Sequence, residues 1–188
     1  MSDANNGSAS VPRLRTGGAA PLVPAAVSGW RWLPLSAAVI VADQAVKAWM
    51  THHFSPLERV HVMPVLDIIL TYNTGAAFSF LSEASGWQRW LFVVLALAVS
   101  AALVVWMRRI DARVHGLLAC GLALIVGGAL GNMLDRLAIG RVVDFIHVHW
   151  GRAYFPAFNI ADSAITVGAV LLLIDAWYES RVQRRLRA

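Results

Sequence analysis

"FNIADSAITVGAVLLLIDAW", residues 158–177, opens with an aspartate at the mouth of a long apolar run. A membrane-spanning helix needs about 20 mostly apolar residues, and the run 160–177 approaches that length. Asp162 would sit in its first turn, where a charged side chain is expensive and by default a functional candidate. Asn159 precedes it with an Asn-x-x-Asp spacing that resembles a capping arrangement. The positive end of the helix would favour an ionised carboxylate there.

Three further windows, 32–50, 88–107 and 116–134, have the same character. The chain has 188 residues, 58% of them hydrophobic and only 14% charged. Ordinary soluble domains are about one quarter charged, so this composition excludes one and points to an integral membrane protein. Tryptophans mark several window ends (Trp30, Trp32, Trp49, Trp87, Trp90, Trp106 and Trp177), as interface anchors do. The net charge of +5 does not argue for nucleic acid as a partner, because the arginines cluster between apolar segments and form no single basic face. With Cys120 alone no internal disulfide can form, and its place in an apolar run reads as a packed core thiol.

The arginines orient the chain. Arg13, Arg15 and Arg31 precede the first window; Arg108, Arg109 and Arg113 separate the second from the third; Arg181, Arg184, Arg185 and Arg187 follow the fourth. The opposite connections hold fewer, namely Arg59, Arg89, Arg136, Arg141 and Arg152. The excess of positive charge puts both termini in the cytoplasm and the connections 51–87 and 135–159 outside. Residues 1–29, rich in Ser, Ala, Gly and Pro, read as a disordered cytoplasmic tail, 30–178 as the membrane domain and 179–188 as a basic cytoplasmic tail. The first window is similar to a signal-peptide core, but Asp43 and Lys47 lie within it and no A-x-A site follows, so it is read as retained.

In "LDIILTYNT", Leu66, Ile68, Leu70 and Tyr72 alternate with Asp67, Ile69, Thr71 and Asn73, the period of a strand, and "TGAAF" supplies a turn at Gly75. The expected fold is therefore an all-α membrane protein with four transmembrane helices and a small extracytoplasmic β-sheet between helices 1 and 2.

Polar residues gather near the outer side. Asn132 and Arg136 in "GGALGNMLDRLAIG" are spaced i,i+4 and share a helix face, with Arg136 at the favourable C-terminal end. Gly127 and Gly131 form a G-x-x-x-G that permits close helix approach. In "RVVDFIHVHW", an extended reading puts Asp144 on the side of Val142, Ile146, Val148 and Trp150, where desolvation would hold its proton. Asp144 and Asp162 then suit water-activated peptide hydrolysis. One carboxylate takes a proton from water, and the other donates to the scissile carbonyl. From spacing alone, helix caps or a cation site remain open.

"VADQAVK", "YNTGAAFSF", "GGALGNMLDR", "GRVVDFI" and "FNIADSAI" resemble, in order, the motifs of the bacterial lipoprotein signal peptidase (signal peptidase II) family, over roughly residues 33–178. The resemblance implies a cofactor-free aspartyl endopeptidase of the bacterial inner membrane. Its partners would be diacylglyceryl-modified prolipoproteins and membrane lipid, with cleavage just before the lipidated cysteine and a monomer as the working unit. It implies Asp144 and Asp162 as the catalytic dyad, with Asn132, Arg136 and Asn159 lining the site and Asn73 and Gly75 in a surface cradle over it. Asp43 and Lys47, spaced i,i+4, would form a buried pair that props the bundle.

Other chemistry is poorly represented. His147 and His149 form an H-x-H, and His52, His53 and His61 could join them. A zinc peptidase, however, needs three or four converging ligands, and no H-E-x-x-H is present, so no metal is expected. Ser79 and Ser163 lack an evident base. The alternative from another class is a small transporter or channel lined by Asp43, Lys47, Asp144 and Asp162, or an assembly subunit. The absence of a pseudo-repeat argues against a transporter.

Overall fold

The computed structural model describes residue 24 and residues 27–75, 86–151 and 153–187. Most of the tail expected at 1–29, the turn at 76–78, and Ser79 lie outside them. Four long helices carry the fold: α1 (Leu33–His53), α2 (Trp87–Met107), α3 (Gly116–Ile139) and α4 (Ile160–Arg187). Pro34 stands in the first turn of α1, where a missing backbone N–H breaks no helical bond. α2, α3 and α4 are long and apolar enough to cross a membrane. α1 has the length but falls short in apolar character because it carries Asp43, Gln44 and Lys47. α3 runs past its expected end and stops at Gly140, whose φ of 77° a side chain would resist. α4 continues through Arg187, so the basic segment from residue 179 is helical as far as Arg187.

α3 is the central helix and packs against α1, α2 and α4. A Cβ at Gly127 would lie 2.9 Å from the Ser36 carbonyl oxygen, and one at Gly131 would lie 3.0 Å from Asp43 Oδ2. The G-x-x-x-G face is thus the seat of α1. Gly128, turned to the other side, does the same for α4, because a Cβ there would collide with the Ala161 carbonyl oxygen. α2 and α4 keep large apolar side chains such as Val94, Leu95, Val170 and Leu173 exposed, the surface a hydrocarbon phase would cover.

The sheet differs from expectation. Strands β1 (Arg59–Met63), β2 (Leu66–Asn73), β3 (Val142–Trp150) and β4 (Ala153–Tyr154) pair antiparallel in that order. Half of them come from the connection between α3 and α4 rather than from that between α1 and α2. An isolated hairpin of β1 and β2 would be marginal, and β3 closes the open edge of β2. The alternation along β2 holds. Leu70 is buried with Met50, Val143 and Phe145, with Ile68 and Tyr72 packed against them, while Ile69, Thr71 and Asn73 line a cleft on the opposite face that Tyr72 also reaches.

Along β3 the simple alternation fails. The side expected to be apolar is not the side of Asp144: Val143 and Phe145 enter the core with Ile146 against them, while Val142, Asp144 and His147 line the cleft. The cause is local. The N–H groups of both Phe145 and Ile146 reach the Phe158 carbonyl oxygen, at 3.1 and 2.8 Å, which breaks the period of two as a bulge does.

Candidate active site

The cleft has a volume of about 870 Å³. It lies where α1 and α3 end, α4 begins and the sheet passes over them. Asn73, Gly75, Asn132, Arg136, Asp144 and Asp162 all line it. Asn159 stands behind them and ties the two carboxylates together. Its Nδ2 donates to Asp144 Oδ1 at 2.7 Å, and its Oδ1 accepts from the Asp162 backbone N–H at 2.9 Å. The Asn159 N–H in turn donates to Asp162 Oδ2 at 3.2 Å, completing the reciprocal cap that the Asn-x-x-Asp spacing implied. Asn132 Nδ2 donates to the other oxygen, Asp162 Oδ1, at 2.7 Å. Asn73 gives Asp144 a side-chain hydrogen bond of its own.

The two carboxylates are held differently. Asp144 is 2% exposed, whereas Asp162 is half-buried at the start of α4. Burial, reinforced by the charge of Asp162, raises the Asp144 carboxyl to about 7, against the hydrogen bonds from Asn73 and Asn159. Below about pH 7 the cleft therefore offers one carboxyl that keeps its proton and another that caps a helix, the division of labour that acid–base hydrolysis needs.

Arg136 reaches across the cleft. Its Nη2 donates to the Gly75 carbonyl oxygen at 2.8 Å, its Nη1 to the Asn132 carbonyl oxygen at 3.4 Å, and its guanidinium lies 4.7 Å from the Phe92 ring centre. It is thus a strut between α3 and the end of β2 rather than a side chain that merely reaches for the interface.

Beneath the cleft, Asp43 and Lys47 form the buried i,i+4 pair at 2.7 Å. A second carboxylate, which the spacing of motifs does not mark, joins them. Asp135 lies 2.8 Å from Lys47 Nζ and accepts the Val143 N–H at 3.1 Å. Gln44 bonds both acids, with Nε2 at 3.3 Å from Asp43 Oδ2 and 2.7 Å from Asp135 Oδ1. Lys47 also donates to Asn132 Oδ1 at 3.0 Å, and Asp43 Oδ1 accepts the Ala161 N–H at 2.9 Å. The network therefore runs from α1 through α3 to both cleft carboxylates. A signal for Asp135 was present in the sequence: it stands i,i+3 from Asn132 in the same apolar helix. Asp43 and Lys47 are buried and bonded to each other, Asp135 and Asn132, and neither is among the described residues that line the cleft. Ser163 donates its hydroxyl to the Asn159 carbonyl oxygen at 2.9 Å and has no base beside it among the described residues. Cys120 is half-buried on α3.

Apolar helices around a cleft that holds two linked carboxylates define the class of a membrane aspartic peptidase. Known proteins are similar to this chain. A family model described as "Signal peptidase (SPase) II" matches residues 35–178. A lipoprotein signal peptidase from Pseudomonas fluorescens is 58% identical over 146 residues, 77% of this chain and 85% of the relative. One from Pseudomonas aeruginosa is 56% identical over 146 residues, 77% of this chain and 86% of the relative. A solved structure described as a bacterial membrane enzyme determined by the in meso method superposes with a TM-score of 0.71 at 31% identity, covering 80% of this chain and 90% of that one. The chain belongs to the signal peptidase II family.

Proposed function

We propose that this chain is the endopeptidase that removes the signal peptide from diacylglyceryl-modified prolipoproteins, cutting just before the lipidated cysteine. The observation that carries the reading is the bridge made by Asn159, which holds Asp144 and Asp162 on one cleft at the mouth of α4. A water between the carboxylates gives a proton to Asp162, the more accessible of the two and the one capping the helix. Its oxygen attacks the scissile carbonyl while Asp144 donates its proton to the developing oxyanion; on collapse Asp162 passes the proton it took from water to the departing amine, and Asp144 recovers its own from the intermediate's hydroxyl, which restores the pair. Close carboxylates that share one proton titrate jointly, so the pair is the working unit. Asn132 and Asn159 orient the two acids, and Arg136 with the Gly75 carbonyl holds the cradle over them. The polypeptide would lie in extended form along Thr71 and Asn73, and the acyl chains would lie beside Ile165 and Val167, which line the same cleft.

In this reading all four helices span the bacterial inner membrane as one unit of residues 30–178. Both termini are cytoplasmic, and the cleft is at the extracytoplasmic face, where water and lipid meet. α1 joins the other three helices because its polar side chains turn inward, Asp43 and Lys47 being buried. The working unit is a monomer bathed in membrane lipid. The test replaces Asp144 or Asp162 by Asn and follows cleavage of a diacylglyceryl-modified prolipoprotein in detergent with EDTA present. Folded variants without activity and a wild type indifferent to the chelator are expected. Cleavage by either variant at the wild-type rate would refute the mechanism.

A further inference from the structure

His61 on β1, Asp67 on β2 and His149 on β3 converge at the end of the sheet away from the carboxylate pair, their ligand atoms all within 4.8 Å of one another. Asp67 Oδ1 lies 2.7 Å from His61 Nδ1 and 3.4 Å from His149 Nε2. Along β3 the distance from Asp144 to His149 is roughly 16 Å at about 3.3 Å per residue, too far for the cluster to touch the reacting atoms. We propose that these three residues bind one divalent transition-metal ion of the Zn²⁺ kind. A water would take the fourth position, and the ion would tie β1, β2 and β3 together.

Three features support this. Two imidazoles and one carboxylate are the donor set of zinc and its neighbours. Ligand atoms about 2.1 Å from a tetrahedral ion stand about 3.4 Å apart, which is the spacing of the His149–Asp67 edge. His61 stands closer, but its side chain is 65% exposed and free to withdraw. Lastly, both ring nitrogens of His149 are buried without a hydrogen-bond partner, while Tyr154 holds the ring at 5.4 Å between centroids. An ion-pair cluster alone accounts for Arg59, which meets the other carboxylate oxygen, Oδ2, and for His61. His149 Nε2 meets Asp67 Oδ1 at 3.4 Å, longer than a good hydrogen bond and close to the spacing that an ion between them would set. The neighbouring residues of the same strands line the cleft, among them Arg59, Ile69 and His147, so an ion here would stiffen the sheet over the site without entering the chemistry.

The test is a titration of untagged, chelator-treated full-length protein in detergent with ZnCl₂, by calorimetry and by thermal unfolding. One ion per chain and a raised melting temperature are expected. Both effects should be lost in His149→Ala and in His61→Ala, whose exposed side chain can be removed without disturbing the fold. Both should persist in His115→Ala, which disrupts the other candidate cluster with Asp175 and Glu179. No saturable binding by the wild type, or binding that survives His61→Ala and His149→Ala, overturns the proposal. Prolipoprotein cleavage by His61→Ala is expected to be unchanged in EDTA, which separates this inference from the peptidase reading.

Discussion

Replacing Asp144 by Asn should abolish cleavage and at the same time make the folded protein more tolerant of alkali. Burial and the neighbouring Asp162 raise this carboxyl from 3.8 to about 7. The folded chain thus keeps a proton through a range of pH in which the unfolded chain has already released it. Stability falls as pH rises from about 4 to about 7 and is level beyond, the full difference being ~4 kcal/mol at about 1.4 kcal/mol per pH unit. An amide at this position has no charge to desolvate. Asp144→Asn should therefore show a melting temperature insensitive to this titration and above that of the wild type at about pH 8. Loss of the acid should cut kcat by ~10³ or more, the upper part of the range for acid–base groups. The wild-type rate should decline as pH rises through about 7, where Asp144 gives up the proton it has to donate. The assay is tryptophan-fluorescence unfolding in detergent from about pH 5 to 8, in parallel with cleavage of a lipid-modified precursor. A variant less stable than the wild type at about pH 8, or a wild type whose melting point does not fall across that range, would refute the reasoning.

Lys47→Met leaves Asp43 and Asp135 facing each other without the cation that now lies 2.7 and 2.8 Å from them, a loss of ~3–5 kcal/mol for a broken buried pair. A large fall in melting temperature is expected, and an unchanged one would mean that the triad does not hold the bundle. Gly128→Ala should be unfavourable even though alanine is ordinarily better than glycine in a helix by ~1 kcal/mol. The new methyl meets the Ala161 carbonyl oxygen and drives the first turn of α4, with Asp162, away from Asn132. A displacement of about 1 Å can cost ~10² in rate, so kcat should fall by roughly that factor, and a fully active, stabilised variant would contradict it.

The legible parts of this fold are those written in local periodicities. Apolar runs long enough to span a bilayer gave the helices, with ends missed by a few residues because caps such as Gly140 act outside the apolar window. The alternation along β2, the Asn159–Asp162 cap and the Asp43–Lys47 pair are each set by neighbours within four residues, and the structure contains all of them. The location of the sheet was only half legible, because β3 pairs with β2 across the whole intervening stretch 74–141 and nothing in either strand names its partner. The bulge opposite Phe158, which sends Asp144 to the cleft and Phe145 and Ile146 both to the core, has no marker in "RVVDFIHVHW" itself.

By itself the sequence determined that this chain belongs in a membrane, which stretches are helical, and that its few internal charges are concentrated at one end. These follow from composition and from side-chain spacing along a single helix or strand. Only the tertiary structure decided that Asp135 completes the lysine's shell, that Asn159 bridges the two cleft carboxylates, and that His61, Asp67 and His149 meet. Each depends on contacts between segments far apart in the chain, as when the Ala161 N–H of α4 finds Asp43 of α1, 118 residues away. Such contacts are fixed by the close approach that Gly127, Gly128 and Gly131 allow and by the need of buried polar groups such as Asp43 and Asn159 for partners, conditions that belong to the packed molecule and that no local pattern expresses.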